Sequence, residues 1–248
     1  MGKREERPSG VPNLDFGDIG DFETLDIDTA LFDITGEYGE ETRYIKPEVH
    51  PVKKGYILYS NARKLAKELR LNPGERFDAF VGGDFIFGDF IEAYIVEHNA
   101  KCGKMTISTL SLSQENVDSL RTLLEKGYVD SLNLLVSVYF YSHEAHALIP
   151  YIYDRLDDSA WNFNLSVAAI HTKTAQFETL GGRKIVIHGS ANLRSSGNIE
   201  QFTIEENQEL YNFYDEHLTR IAERYSTINK AVRGNDLWDT ITKKRFND

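Results

Sequence analysis

Two short segments concentrate the side chains able to hold a phosphoryl group. In the first, His171-Thr172-Lys173 sets an imidazole two residues from an ammonium. In the second, Gly189-Ser190-Ala191-Asn192 is a small-residue turn that offers backbone amides, a hydroxyl and a carboxamide to one point. A histidine is both a nucleophile and a proton carrier near neutral pH. A lysine and a nest of amide and hydroxyl donors neutralise an oxyanion. Together these residue types suit an oxyanion held by fixed donors, although the second segment by itself could equally be a tight loop with a helix cap.

The elements that must position them follow from periodicity. Residues 161–173 read as a strand whose alternation puts Phe163, Leu165, Val167, Ala169, His171 and Lys173 on one face. An apolar face that ends in His and Lys implies either that both meet something at the sheet edge, where ligands of open α/β sheets gather at strand carboxyl ends, or that both simply emerge into solvent. Residues 182–190 read as the next strand, following a Gly-Gly turn and running into the Gly189–Asn192 segment. Upstream, helix is expected over 61–70, stopped by Asn72-Pro73-Gly74. An apolar run from Phe77 to Phe87 then leads into a helix through His98. Strand is expected over 104–112, helix from an N-capping Ser113 to Gly127, strand over 132–141, helix over 143–156, and helix over 207–224. This alternation predicts an α/β protein with a mixed, largely parallel sheet flanked by helices on both faces.

His171-x-Lys173 followed by Gly189-Ser190-x-Asn192 resembles the signature of the phospholipase D-like superfamily. Asn198 and Glu200 match the N-x-E often found downstream of it. The resemblance covers roughly Phe77 to Arg224. It implies the family's single-domain fold and metal-free phosphodiester chemistry that needs no cofactor. One histidine attacks phosphorus to give a phosphohistidine, while a second protonates the leaving oxygen. This chain has one recognisable copy of the motif, which implies a homodimer pairing two motifs across a two-fold axis. By resemblance, His171 is nucleophile in one subunit and general acid in the other. Lys173 and Asn192 hold the non-bridging oxygens, Ser190 adds a donor, and Glu200 orients an imidazole. Gly189, Arg194 and Asn198 contribute to substrate binding. One departure is Glu178, which stands where the family has Asp, seven residues after the histidine.

Composition narrows the setting. The chain has 248 residues and a net charge of −11, yet its first 50 residues hold 13 acidic and 5 basic side chains. An acidic arm over 1–52, a domain over 53–228 and a tail over 229–248 are therefore expected. Nucleic-acid contact must come from a local patch, since the global field repels phosphate polymers. Arg183, Lys184 and Arg194 beside the motif, and Lys243, Lys244, Arg245 and Trp238 near the C-terminus, are candidates for such a patch or plain solvated and core residues. A single cysteine, Cys102, excludes an internal disulfide framework and a multi-cysteine zinc site. His143-Glu144-Ala145-His146 lacks the zincin spacing and reads as solvated histidines at a helix start; no metal site is expected. His188 either lines the site or is a satisfied strand histidine. The charged N-terminus and absence of a long apolar run point to a cytoplasmic protein. The expected activity is nucleic-acid phosphodiester hydrolysis. The alternative is a catalytically weak or inactive module that binds nucleic acid or a protein partner.

Overall fold

A computed structural model describes residues 62–82, 85–194 and 197–225. The expected arm and tail, with Trp238 and the basic residues beside it, lie outside the described residues. In chain order the elements are α1 (Ala62–Glu68), β1 (Arg76–Val81), α2 (Phe87–Glu97), β2 (Cys102–Thr109), α3 (Gln114–Glu125), β3 (Ser131–Ser137) and α4 (Val138–Glu144). They continue as α5 (Leu148–Leu156), β4 (Asn162–Ala168), β5 (Thr174–Thr179), β6 (Lys184–Gly189), β7 (Glu200–Glu206) and α6 (Gln208–Arg224).

One seven-stranded sheet runs in the order β1-β7-β6-β5-β2-β3-β4. The mixed α/β architecture is as expected, but parallel pairing is confined to β2–β3 and β3–β4, and the other four pairings are antiparallel. The reason is connection length. β5 and β6 are joined by the short turn 180–183, in which Gly182 has a φ of 81°, and a turn that short permits only an antiparallel neighbour. β5 and β7 are strands the alternation did not predict.

Successive residues point to opposite faces, and the two faces differ in character. One carries Ile107, Leu134, Phe177, Ile185, Phe202 and Ile204, all buried. Phe202 packs against Phe87 and Phe90 of α2, with ring centroids 5.3 and 4.8 Å apart. Ile107 meets Leu120 and Leu123 of α3 around a small cavity. Burying each such side chain contributes about 1.5–3 kcal/mol. The opposite face carries Thr106, Ser108, Thr174, Gln176, Thr203 and Glu205, all buried although polar. Helix α6 covers part of this face through Leu218 and Ala222 on Leu135, and Leu210 and Tyr211 on Val186.

Helix starts follow their caps. Ser113 and Asn116 form the reciprocal capping box of α3, and Asn207 accepts from Leu210 N–H to start α6. Ser137 likewise accepts from Phe140 N–H, so the apolar run 132–141 is strand only to Ser137 and then turns into α4. The helix expected over 143–156 is two helices, with α5 starting at Leu148.

Candidate active site

The carboxyl ends of β2, β3, β4 and β6 and the amino ends of β5 and β7 share one edge of the sheet. β4 and β5 lie on opposite sides of the β2–β3 pair, so residues 169–173 must cross three strand spacings, roughly 14 Å, over the ends of β3 and β2. Six Cα steps reach only about 20 Å when extended. The crossover is short enough to need most of that reach, takes up the remainder in a turn where Ile170 N–H donates to the Ala168 carbonyl at 2.8 Å, and carries His171 and Lys173. This corrects the strand expected over 161–173: β4 ends at Ala168, and the motif lies in the connection, not on a strand.

Two anchors hold the crossover. Ile170 packs against the Leu135–Leu218–Ala222 cluster beneath α6. Thr172, between the two motif residues, is held from β2: Ser108 Oγ lies 3.1 Å from the Thr172 carbonyl, to which it donates, and 2.5 Å from Thr172 Oγ1. Lys173 Nζ reaches the His171 carbonyl at 3.3 Å and lies 3.4 Å from His171 Nδ1. His171 is exposed and Lys173 half-buried. Burial lowers the Lys173 ammonium below a lysine's usual range, and the Glu200 carboxylate pulls in the other direction. Lys173 and Glu200 therefore feel one another's charge.

The second segment joins the first directly. Gly189 N–H donates to the Lys173 carbonyl at 3.1 Å, and Ser190 N–H donates to the Gln201 carbonyl at 2.9 Å. Ser190 Oγ donates to Glu200 and accepts from Gln201 N–H at 3.0 Å. Position 189 is fixed as glycine by crowding: a Cβ there would stand 2.2 Å from the Gln201 carbonyl oxygen and 2.7 Å from Phe202 Cα. Asn192 Oδ1 accepts from Leu110 N–H at 3.3 Å, at the end of β2, which leaves its amide donors to the site. Leu193 accepts from Gly88 N–H at 2.9 Å, docking the loop on the start of α2. Asn192, Arg194, Asn198 and Glu200 line one small cleft with Phe85 and Phe87.

Lys173, Gly189, Ser190 and Glu200 are thus linked by hydrogen bonds or charge, and Asn192, Arg194 and Asn198 border the cleft beside them. Arg183 and Lys184 do not join them. They lie at the opposite end of β6, where Arg183 pairs with Glu206 at 2.6 Å and Lys184 bonds Asn212 at 3.1 Å. Glu178 is also remote, exposed at the far end of β5, 3.9 Å from Lys184. His188 faces the α6 side, 3.5 Å from the buried Glu205 and stacked on Tyr214. Burial pushes the Glu205 carboxyl up, but the nearby His188 ring, the Asn207 hydrogen bond and the charge of Arg76 outweigh it, leaving the group below its usual range. The sequence reading overlooked Ser108, whose buried hydroxyl gives no signal of its own in a strand. His143 is exposed at the end of α4, not at a helix start, and no metal-binding cluster of His, Cys, Asp or Glu occurs among the described residues. Burial raises the Cys102 thiol to about 12, so it is not a nucleophile. No helix of the described residues is long and apolar enough to cross a membrane.

Neither a family model nor a curated protein matches the sequence. Among solved structures, NucT from Helicobacter pylori is 14% identical over 60% of this chain and 97% of its own length, with a TM-score of 0.43. Polyphosphate kinase from Porphyromonas gingivalis is 14% identical over 63% of this chain, with a TM-score of 0.45. Phosphatidylserine synthase from Haemophilus influenzae is 14% identical over 75% of this chain, with a TM-score of 0.44. This chain spans 27% of the kinase and 47% of the synthase. At this degree of similarity the likeness carries no argument about chemistry.

Proposed function

We propose that this chain is a phospholipase D-like, metal-independent phosphodiesterase that hydrolyses nucleic-acid phosphodiester bonds as a homodimer. The observation that carries the reading is the Gly189 N–H bond to the Lys173 carbonyl, which brings the two motif halves to one sheet edge. The chemistry then follows from the groups gathered there. A phosphate between Lys173 and Asn192 meets an ammonium and an amide already in place, and the Ser190 hydroxyl joins them by turning its hydrogen from Glu200 to the phosphate. A bond forms from a His171 ring nitrogen to phosphorus as the bond to the leaving oxygen breaks, and the partner subunit's His171 donates the proton to that oxygen. Water then attacks phosphorus, its proton passes to the partner subunit's His171, and the P–N bond breaks. The remoteness of Glu178 supports retained activity, because exchanging Asp for Glu at the far end of β5 leaves the phosphate-binding groups untouched.

The test is cleavage of labelled single- and double-stranded DNA and RNA, and of bis-p-nitrophenyl phosphate, in EDTA. Wild type should turn over, and His171→Ala should fall by at least ~10³-fold. A folded protein that binds these polymers without cutting any of them would replace this reading with a binding module.

A further inference from the structure

Among the described residues, five large apolar side chains are exposed: Phe80, Val96, Tyr139, Leu180 and Ile199. Val96 and Leu180 lie at the ends of α2 and β5 away from the site. The other three crowd its edge. Phe80, 75% exposed, is the penultimate residue of β1, and Ile199, 82% exposed, directly precedes β7. Tyr139, 44% exposed, is the second residue of α4, just past the end of β3. Its ring lies over His143 with centroids 4.0 Å apart, and His143 Nδ1 is fixed on the Tyr139 carbonyl at 2.8 Å.

Both aromatic positions are coupled to the phosphate-binding residues through short bonded paths. Phe80 faces Gln201 in the β1–β7 register, and Gln201 is bonded to Ser190 through both its N–H and its carbonyl. On the other flank, Asn192 accepts from Leu110, whose carbonyl accepts from Ser137 Oγ at 3.4 Å, and Ser137 caps the helix that presents Tyr139. β1 and β3 are five strand spacings apart, roughly 24 Å. Two exposed aromatic faces therefore flank a row of phosphate donors along one edge. Flat aromatic surface held on both sides of a phosphate site suits unpaired bases, whose faces stack without regard to sequence.

We propose that Phe80 and Tyr139 are base-stacking anchors that make the site selective for single-stranded nucleic acid. The inference rests on the phosphodiesterase reading for the identity of the phosphate site. The test compares binding of a labelled oligothymidylate with an abasic strand of equal length, on the His171→Ala background so that neither is cut. The parent should prefer the thymine strand by roughly 5- to 100-fold. Phe80→Ala and Tyr139→Ala should each shrink that preference while leaving abasic binding in place, and Tyr139→Phe should retain it. Unchanged preference in both alanine variants would overturn the proposal. So would loss of a dimer in sedimentation, because the patches would then be contacts with a second copy. If wild type fails to turn over bis-p-nitrophenyl phosphate, the phosphodiesterase reading falls, while the thymine preference still reports on stacking.

Discussion

The hairpin of β5 and β6 has two ends with similar inventories and opposite fates. At one end stand Lys173, Gly189, Ser190 and Glu200; at the other stand Glu178, Lys184, Arg183 and Glu206. Both hold cations, carboxylates and glycines. At the turn end each charge is met by a neighbour on the surface: Arg183 by Glu206, and Lys184 by Glu178 and the ring of Tyr211. At the motif end a short crossover delivers His171 and Lys173 over the ends of parallel strands, and a loop brings Asn192 to the same edge. What separates the candidate site from the hairpin turn here is convergence of several chain segments, not residue type.

The largest expected difference between the ends lies in catalysis. Lys173→Ala should lower turnover of bis-p-nitrophenyl phosphate by about 10²–10³-fold, whereas Lys184→Ala should leave it within twofold. The pH profile sharpens this. The ammonium is the working form and burial depresses its pKa, so activity should be present at lower pH and fall as pH rises through a value below an ordinary lysine's 10.5. Lys173→Arg should move that basic limb upward. For stability the sign is the reverse, since the unfolded chain binds that proton more readily and folding is favoured as pH rises through the same window.

Next in size, Gly189→Ala should destabilise the fold by about 3 kcal/mol in denaturant titration, because the added methyl meets backbone and not a movable side chain. Gly181→Ala, whose Cβ would meet only Thr179 Oγ1 at 3.8 Å, should change stability by under about 0.5 kcal/mol. A smaller effect is expected at Ser108, whose hydroxyl fixes the Thr172 backbone. Ser108→Ala should cut turnover about tenfold with KM nearly unchanged, and Ser108→Thr should restore part of it. The smallest is Glu178→Gln, expected to leave turnover within twofold. A large loss there would show that the two ends are coupled.

Much of the candidate site was legible because its residue types are rare in combination. His171, Lys173, Ser190 and Asn192 could be named before any strand was placed. Their support was harder to read. β7 alternates Gln201, Thr203 and Glu205 with Phe202 and Ile204, and Thr203 and Glu205 are buried on the α6 face, so their burial is invisible to hydropathy. β5 was hidden because the motif drew strand character toward 161–173, although the chain leaves the sheet at Ala168 to cross it. α4 was hidden inside an apolar run that Ser137 divides by capping. For β5 and β7 the deciding contacts are made by residues distant in sequence, whereas the cap that divides the apolar run is local.

The central claim is that His171 forms the covalent intermediate at this edge. Rapid acid-free quenching during bis-p-nitrophenyl phosphate turnover in EDTA, followed by peptide mass spectrometry, tests it directly. A p-nitrophenyl phosphoryl adduct is expected on His171 and is absent from His171→Ala. Steady turnover with His171 unmodified, or with the adduct on another residue, would contradict it.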